Sequence, residues 1–205
     1  LPLGMTVVIP DMDPTRPAHV DPVKIIEAVT NHGVTMSFGS PALWNRVSLY
    51  CREQGVTLPS LKQITMAGAP IPGYLHERLL THILPDGAEI HTPYGATECL
   101  LVTSFEGTRI LRETLALTSQ GRGYCVGNPL PGIDLRIIRI DDQPIARWDN
   151  AEPLPDGEIG EIVVRGPVVS RAYYQLPDQT TLHKIYDTDD TERGSFWHRI
   201  GDVGY

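Results

Sequence analysis

Along the first half of the chain, short β-branched runs alternate with stretches whose apolar residues recur at helical spacing; along the second half they recur at every other position. Met5-Thr6-Val7-Val8-Ile9 reads as a strand. Asp21-Pro22 has the chemistry of a helix start, a carboxylate to accept a first-turn N–H and a proline where no intrahelical donor is needed. Val23, Ile26, Val29 and Thr30 then share a face until Asn31-His32-Gly33 ends the helix. Residues 34–38 predict a strand, and Ser40-Pro41 opens a second helix with Leu43, Val47 and Tyr50 or Cys51 inward, closed by Gly55. Residues 62–66 are the next strand, a turn-rich 67–72 leaves it, and Leu75, Leu79 and Ile83 mark a third helix. Residues 88–92 are strand-like again.

Strand and helix in alternation imply right-handed crossovers and a mainly parallel sheet with flanking helices, an α/β fold in which ligands bind beyond the carboxyl ends of strands. From about Gly121 the texture changes. Gly121, Gly123, Gly127, Pro129, Pro131 and Gly132 form a loop-rich passage, after which 133–137 alternates at the strand period. Residues 144–148, 158–165 and 195–200 are further strands, so a β-rich, barrel-like subdomain is expected. The pattern divides the chain into an α/β subdomain, 1–120, and a β-rich one, 121–205.

Bulk properties narrow the classes. A chain of 205 residues with 41% hydrophobic and 20% charged residues has room for a substantial core and no bias toward disorder. A net charge of −8 argues against non-specific nucleic-acid or anionic-membrane binding, so a phosphate ligand must be held by local chemistry. Cys51, Cys99 and Cys125 are an odd, scattered set that supports neither a disulfide framework nor a zinc knuckle and fits a reducing cytoplasm. The seven histidines show no metal-ligand spacing, and neither a Gly-x-Ser-x-Gly elbow nor a Walker-type loop occurs. The opening Leu1-Pro2-Leu3-Gly4-Met5 has no basic lead or long apolar run, so no signal peptide or transmembrane segment is read there. Both ends look cut, the start running at once into strand-like sequence and the end stopping at Gly204-Tyr205.

The candidate chemistry is densest in His91-Thr92-Pro93-Tyr94-Gly95-Ala96-Thr97-Glu98. Tyr94 offers a flat face for a base, a contact of roughly 1–3 kcal/mol, and Gly95 lets the backbone approach a phosphate. Thr97 can donate to a phosphate oxygen, and Glu98 supplies a hard oxygen for Mg²⁺, which favours carboxylate and phosphate ligands. Alone, the segment equally describes a strand end turning through Pro and Gly with a solvated Glu. Gly68-Ala69-Pro70 also follows a predicted strand and would line the same crevice, though by itself it is a plain turn. Gly121-x-Gly123 lacks the strand-to-helix setting of a phosphate loop and reads as a turn. In Trp197-His198-Arg199-Ile200-Gly201-Asp202 the acid is placed to accept from both hydroxyls of a ribose, or simply to cap its turn.

In this order the segments resemble the adenylate-forming superfamily of acyl-CoA synthetases, adenylation domains and luciferases. Met66-Ala67-Gly68-Ala69-Pro70 resembles its Gly-Gly-Ala-Pro turn, and Tyr94-Gly95-Ala96-Thr97-Glu98 matches its Tyr-Gly-x-Thr-Glu motif. Residues 126–132 and 157–167 resemble its β-barrel subdomain, and Trp197 to Asp202 its Thr-Gly-Asp motif. The resemblance implies that Thr92, Tyr94 and the Gly68-Ala69-Pro70 backbone hold adenine, Thr97 the phosphate, Glu98 the Mg²⁺ and Asp202 the ribose of ATP. Ala67 and Ile200 depart from the pattern, the second removing a hydroxyl.

The superfamily's phosphate loop would precede Leu1, and its hinge and small C-terminal domain would follow Tyr205, so the chain is expected to be an inactive fragment of an AMP-forming ligase. Ends cut through a fold expose sheet edge and core, which predicts self-association. Residues 91–98, Ile140-Asp141-Asp142 and 166–174 resemble the olefin-biosynthesis branch, whose members are labelled fatty acyl-CoA ligases. That resemblance implies a long-chain β-hydroxy acid as substrate and β-lactone formation, with CoA as the alternative acceptor. Two other classes stay open: a non-catalytic nucleotide-binding or scaffolding module, and a hydrolase using His198 with Asp202, for which no activated nucleophile is recognisable.

Overall fold

The computed structural model describes residues 4–187 and 194–205; the opening Leu1-Pro2-Leu3 lies outside them. The chain divides into two compact units, Leu1–Pro93 with Ser104–Gly127, and Tyr94–Thr103 with Asn128–Tyr205.

In the first unit β1 (Met36–Gly39), β2 (Gln63–Met66) and β3 (Glu89–Tyr94) pair in parallel, Gly39 opposite Met66 and Thr65 opposite His91. β4 (Thr103–Glu106) follows β3 in the strand order. Between them run α1 (Pro22–His32), α2 (Pro41–Gln54) and α3 (Gly73–His82). The starts are those the sequence predicts: Asp21 accepts from the Val23 N–H at 3.0 Å and Ser40 from the Leu43 N–H at 3.3 Å. Trp44, Val47, Leu61, Ile64, Met66, Leu75, Leu79 and Ile90 are withdrawn from water entirely. Full burial of an aliphatic side chain contributes about 1.5–3 kcal/mol, which makes this cluster the unit's main source of stability.

Several expectations are corrected here. Residues 5–9 form no strand; Met5, Val7 and Ile9 are 47, 56 and 86% exposed, and a β-branched run becomes a strand only where a neighbour takes its backbone groups. On α1 the buried stripe is Pro22, Ile25 and Val29, at the three-and-four spacing of one helix face, and Val23 points outward. β3 runs on through Pro93 to Tyr94. Residues 107–119 form helical turns, α4 (Gly107–Arg109), a π-turn at Ile110–Thr114 and α5 (Leu115–Ser119), that no periodic signal announces.

The second unit opens with the short β5 (Asn128–Pro129) and is built on an antiparallel sheet of β6 (Asp134–Ile138), β7 (Gly160–Arg165), β8 (Lys184–Tyr186) and β9 (Phe196–Gly204), ordered β6-β7-β9-β8. β7 is covered on both faces: Ile162 and Val164 join Cys99, Val102 and Ile133 on one side, and Val163 joins Ile138, Ile185 and Trp197 on the other. The expected strand at 144–148 is absent. A single bridge joins Arg147 to Tyr186, and a 3-10 turn follows at Trp148–Asn150, its Trp148 stacked 4.5 Å from Trp197. Pro144 has no N–H to give a ladder. α6 (Pro177–His183) and β8 were not foreseen.

At the centre of this unit the Arg199 guanidinium meets the Glu161 carboxylate at 2.7–3.1 Å. It also donates to the carbonyls of Gln143 (2.9 Å), Leu182 (3.2 Å) and Asp141. Both side chains are buried, so every donor of the fork needs such an acceptor. The pair thereby ties the 141–143 turn and the end of α6 to β9.

Candidate functional site

The loop leaving β3 is closed by its own backbone. Val102 N–H donates to the Tyr94 carbonyl (2.9 Å) and Cys99 N–H to the Ala96 carbonyl (3.0 Å), forming a 3-10 turn at Thr97–Cys99. Gly95 is required by this closure: a Cβ there would lie 2.8 Å from the Cys99 carbonyl oxygen. Cys99 and Val102 are inaccessible to water and root the loop in the second unit's core, leaving Thr97 exposed and Glu98 half-buried.

Asp202 reaches this loop because β9 bulges. Val163 faces Arg199 and Glu161 faces Val203, so two steps along β7 match four along β9. The surplus turns out at Gly201, whose φ of +87° strains any residue with a Cβ. The Tyr94 hydroxyl donates to the Asp202 carboxylate at 2.8 Å across 108 positions of sequence. Burial, with the Asp202 bond added, pushes the Tyr94 phenol far above its usual range, which keeps it a neutral donor. Within the second unit the residues expected at base and ribose are therefore in contact.

Glu98 is the more elaborately held. Its own backbone N–H first, then the Tyr173 hydroxyl and the nearby His198 and Lys184 side chains, hold its carboxyl below the usual range against partial burial. Ser170 N–H donates to the Glu98 carbonyl at 2.7 Å, and Lys184 Nζ donates to the Ser170 carbonyl at 2.6 Å. Lys184 is only 1% exposed, and burial lowers it to about 8, partly offset by Cys99 and Glu98. Burial first, then the bond to Glu98, raises the Tyr173 hydroxyl to about 12. His198 is lowered to about 4 by burial and by Lys184, so it is neutral near pH 7; its Nδ1 lies 3.3 Å from the His183 carbonyl and donates to it. Among the described residues no group of three or more His, Cys, Asp or Glu is placed to hold a metal. A single ionised, half-exposed carboxylate instead fits a cation like Mg²⁺ that takes most of its ligands from phosphate and water.

The remaining predicted residues belong to the first unit. Gly68-Ala69-Pro70 is an exposed turn just past β2. Thr92, half-buried on β3, spends its hydroxyl hydrogen on the Phe105 carbonyl at 3.0 Å. Sequence reading passed over Tyr173, Lys184 and Arg199. The available signal was a charged residue at an inward position of a strand, Glu161 beside Ile162 and Lys184 beside Ile185. Among the described residues no helix is long and apolar enough to cross a membrane.

The model of the AMP-binding enzyme family matches residues 1–174. The chain is 46% identical over 203 residues to an olefin beta-lactone synthetase of Stenotrophomonas maltophilia (strain K279a), covering 99% of this chain and 36% of that protein. It is 45% identical over 205 residues to the olefin beta-lactone synthetase of Xanthomonas campestris pv. campestris, covering 99% and 35%. It thus spans about a third of the length of these curated relatives. The crystal structure of a long-chain-fatty-acid-CoA ligase from Archaeoglobus fulgidus superposes with a TM-score of 0.68 at 23% identity, over 91% of this chain and 34% of that one, which establishes a shared fold.

Proposed function

Because the chain belongs to the AMP-binding enzyme family, we propose that it carries part of the nucleotide site of an AMP-forming acid ligase acting on a long-chain, β-hydroxylated fatty acid. In the complete reaction the substrate carboxylate attacks the α-phosphorus of ATP and pyrophosphate leaves, giving an acyl-adenylate. The substrate's own β-hydroxyl, or the thiol of CoA, then displaces AMP. The substrate class follows the olefin beta-lactone synthetases to which the chain is similar; CoA is the acceptor in the alternative. A soluble, cytoplasmic setting accords with the free cysteines.

The observation that carries this reading is the Tyr94–Asp202 contact on the same loop as Glu98. A ring and an acid joined at 2.8 Å can bracket a nucleoside, the ring stacking on the base and the acid accepting from the ribose hydroxyls. Thr97, exposed one residue from Glu98, is free to turn its hydroxyl to a phosphate oxygen. Thr92 and the Gly68-Ala69-Pro70 backbone are assigned to the adenine edge. Glu98 would hold Mg²⁺, which neutralises charge on the triphosphate as the α-phosphorus is attacked.

The test uses the complete natural protein, with pyrophosphate release measured in the presence of fatty acid, ATP and Mg²⁺. Glu98→Gln should lower the rate about 100-fold or more while shifting stability by less than about 0.5 kcal/mol, as expected for a half-exposed side chain. An unchanged rate overturns the assignment. Binding of Mg-ATP with no pyrophosphate release by the unmodified protein would replace it with the nucleotide-binding module.

A further inference from the structure

Behind the Glu98 loop, the segment between β7 and α6 passes close by. It meets Glu98 directly at Ser170, whose N–H donates to the Glu98 carbonyl at 2.7 Å, and it carries Tyr173, whose ring lies beside Lys184 and whose hydroxyl is raised by burial and then by Glu98. The segment is itself held by Lys184, which reaches from β8 to the Ser170 carbonyl and lies 5.7 and 5.5 Å from the centroids of the Tyr173 and Phe196 rings. A lysine almost wholly removed from water is costly, and a methionine would fill the same space without that cost. What the ammonium adds is a fixed backbone at Ser170, and through it a fixed backbone at Glu98.

We propose that Tyr173 and Lys184 are positioning residues for Glu98, Tyr173 aiming its carboxylate and Lys184, through Ser170, setting the height of its backbone. The proposal rests on the reading of Glu98 as the ligand of the nucleotide's Mg²⁺. A carboxylate has about four acceptor positions, so the Tyr173 hydroxyl and the Glu98 N–H orient the group and leave positions for the cation. With no group of three or more His, Cys, Asp or Glu placed to hold a metal among the described residues, the orientation of the Glu98 carboxylate bears directly on where the cation sits. A hydrogen-bonded partner behind a metal ligand is commonly worth 10–100-fold in metal affinity, roughly what the pairing here should supply.

The experiment compares the complete natural protein with Tyr173→Phe, Lys184→Met and Glu98→Gln. Mn²⁺ binding is followed by electron paramagnetic resonance with a non-hydrolysable ATP analogue, and pyrophosphate release is followed against free Mg²⁺. Tyr173→Phe should weaken Mn²⁺ binding about tenfold and raise the half-saturating Mg²⁺ by the same factor. The KM for the fatty acid should stay within about twofold, the split expected of residues that act only through the metal. Lys184→Met should move both metal readouts the same way. Tyr173→Phe tests the idea even if Lys184→Met fails to fold, since it removes one oxygen and keeps the ring. Unchanged Mn²⁺ affinity in a folded Tyr173→Phe overturns the proposal, as does an equal loss in metal affinity and fatty-acid KM. If the unmodified protein releases no pyrophosphate, the ligase reading falls, and the Mn²⁺ titration alone decides the positioning role.

Discussion

In the first unit the side chains withdrawn from water are Trp44, Val47, Ile64, Leu75, Leu79, Ile90 and their apolar neighbours, with Ser48 and His76 as polar exceptions. In the second, Glu161, Lys184, His198 and Arg199 are buried beside Val163, Ile185 and Trp197. The contrast follows what each unit presents. The first offers an exposed turn, Gly68-Ala69-Pro70, whose placement needs only the register of a parallel sheet. On the proposed function the second must aim side chains, Tyr94, Glu98 and Asp202, and directional bonds aim better than dispersion contacts. Its buried Arg199 acts on three carbonyls and a carboxylate at once, fixing the strand from which the Asp202 bulge departs.

The largest test removes one half of that buried pair. Arg199→Leu leaves Glu161 charged and unpartnered and should cost about 3–5 kcal/mol by denaturant titration. The double change Arg199→Leu with Glu161→Leu should cost less than the single one, because it buries no lone charge. A loss below about 1 kcal/mol for Arg199→Leu, the range of an exposed pair, would erase the distinction between the units.

Acid separates the units next. His76 in the first and His198 in the second are both lowered to about 4 by burial; Glu106 opposes the shift at His76, while at His198 Lys184 reinforces it and Glu98 opposes it. An imidazole whose folded value lies below its unfolded one keeps its full contribution above the unfolded value, near 6.5. Between there and about 4 the unfolded chain takes up the proton and the folded one does not, so stability falls as pH falls through that window. Each group should account for on the order of 3 kcal/mol. His76→Leu should remove only the first unit's share; an unaltered stability profile between pH 6.5 and 4 refutes the assignment.

The smallest effect is local to the first unit. Asp21→Ala deletes the bond to the Val23 N–H and should cost about 1 kcal/mol, read as a fall in denaturation midpoint without a change in slope. A cost as large as that of Arg199→Leu would mean that α1 anchors more than its own first turn.

Much of the first unit was legible because its signals are short-range. Asp21-Pro22 and Ser40-Pro41 cap within three residues, and Leu43, Val47 and Cys51 mark a face by spacing alone. The strand expected at 5–9 failed for the complementary reason, since a strand exists only with a partner and propensity says nothing about one. In the second unit β6 was visible as alternation and β7 and β9 as strand runs set off by turn residues, whereas β8, three residues long and carrying a buried lysine, was not. Tyr94, Glu98 and Asp202 could be named from the resemblance of their motifs, and Tyr173, Lys184 and Arg199 could not, because no motif that was read assigned them a role.

By itself, then, the sequence determined α1, α2 and α3, the caps of the first two, most strands and the family to which the loop and the Gly-Asp turn point, since each is written within a few neighbouring residues. Only the tertiary structure decided that Tyr94 donates to Asp202 and that the Glu98 backbone is held by Ser170. The first of these contacts depends on the pairing register of β7 with β9 and on the bulge at Gly201. Register is a property of two strands together, fixed by which faces are buried and by where Arg199 finds its acceptors, and neither strand alone specifies it.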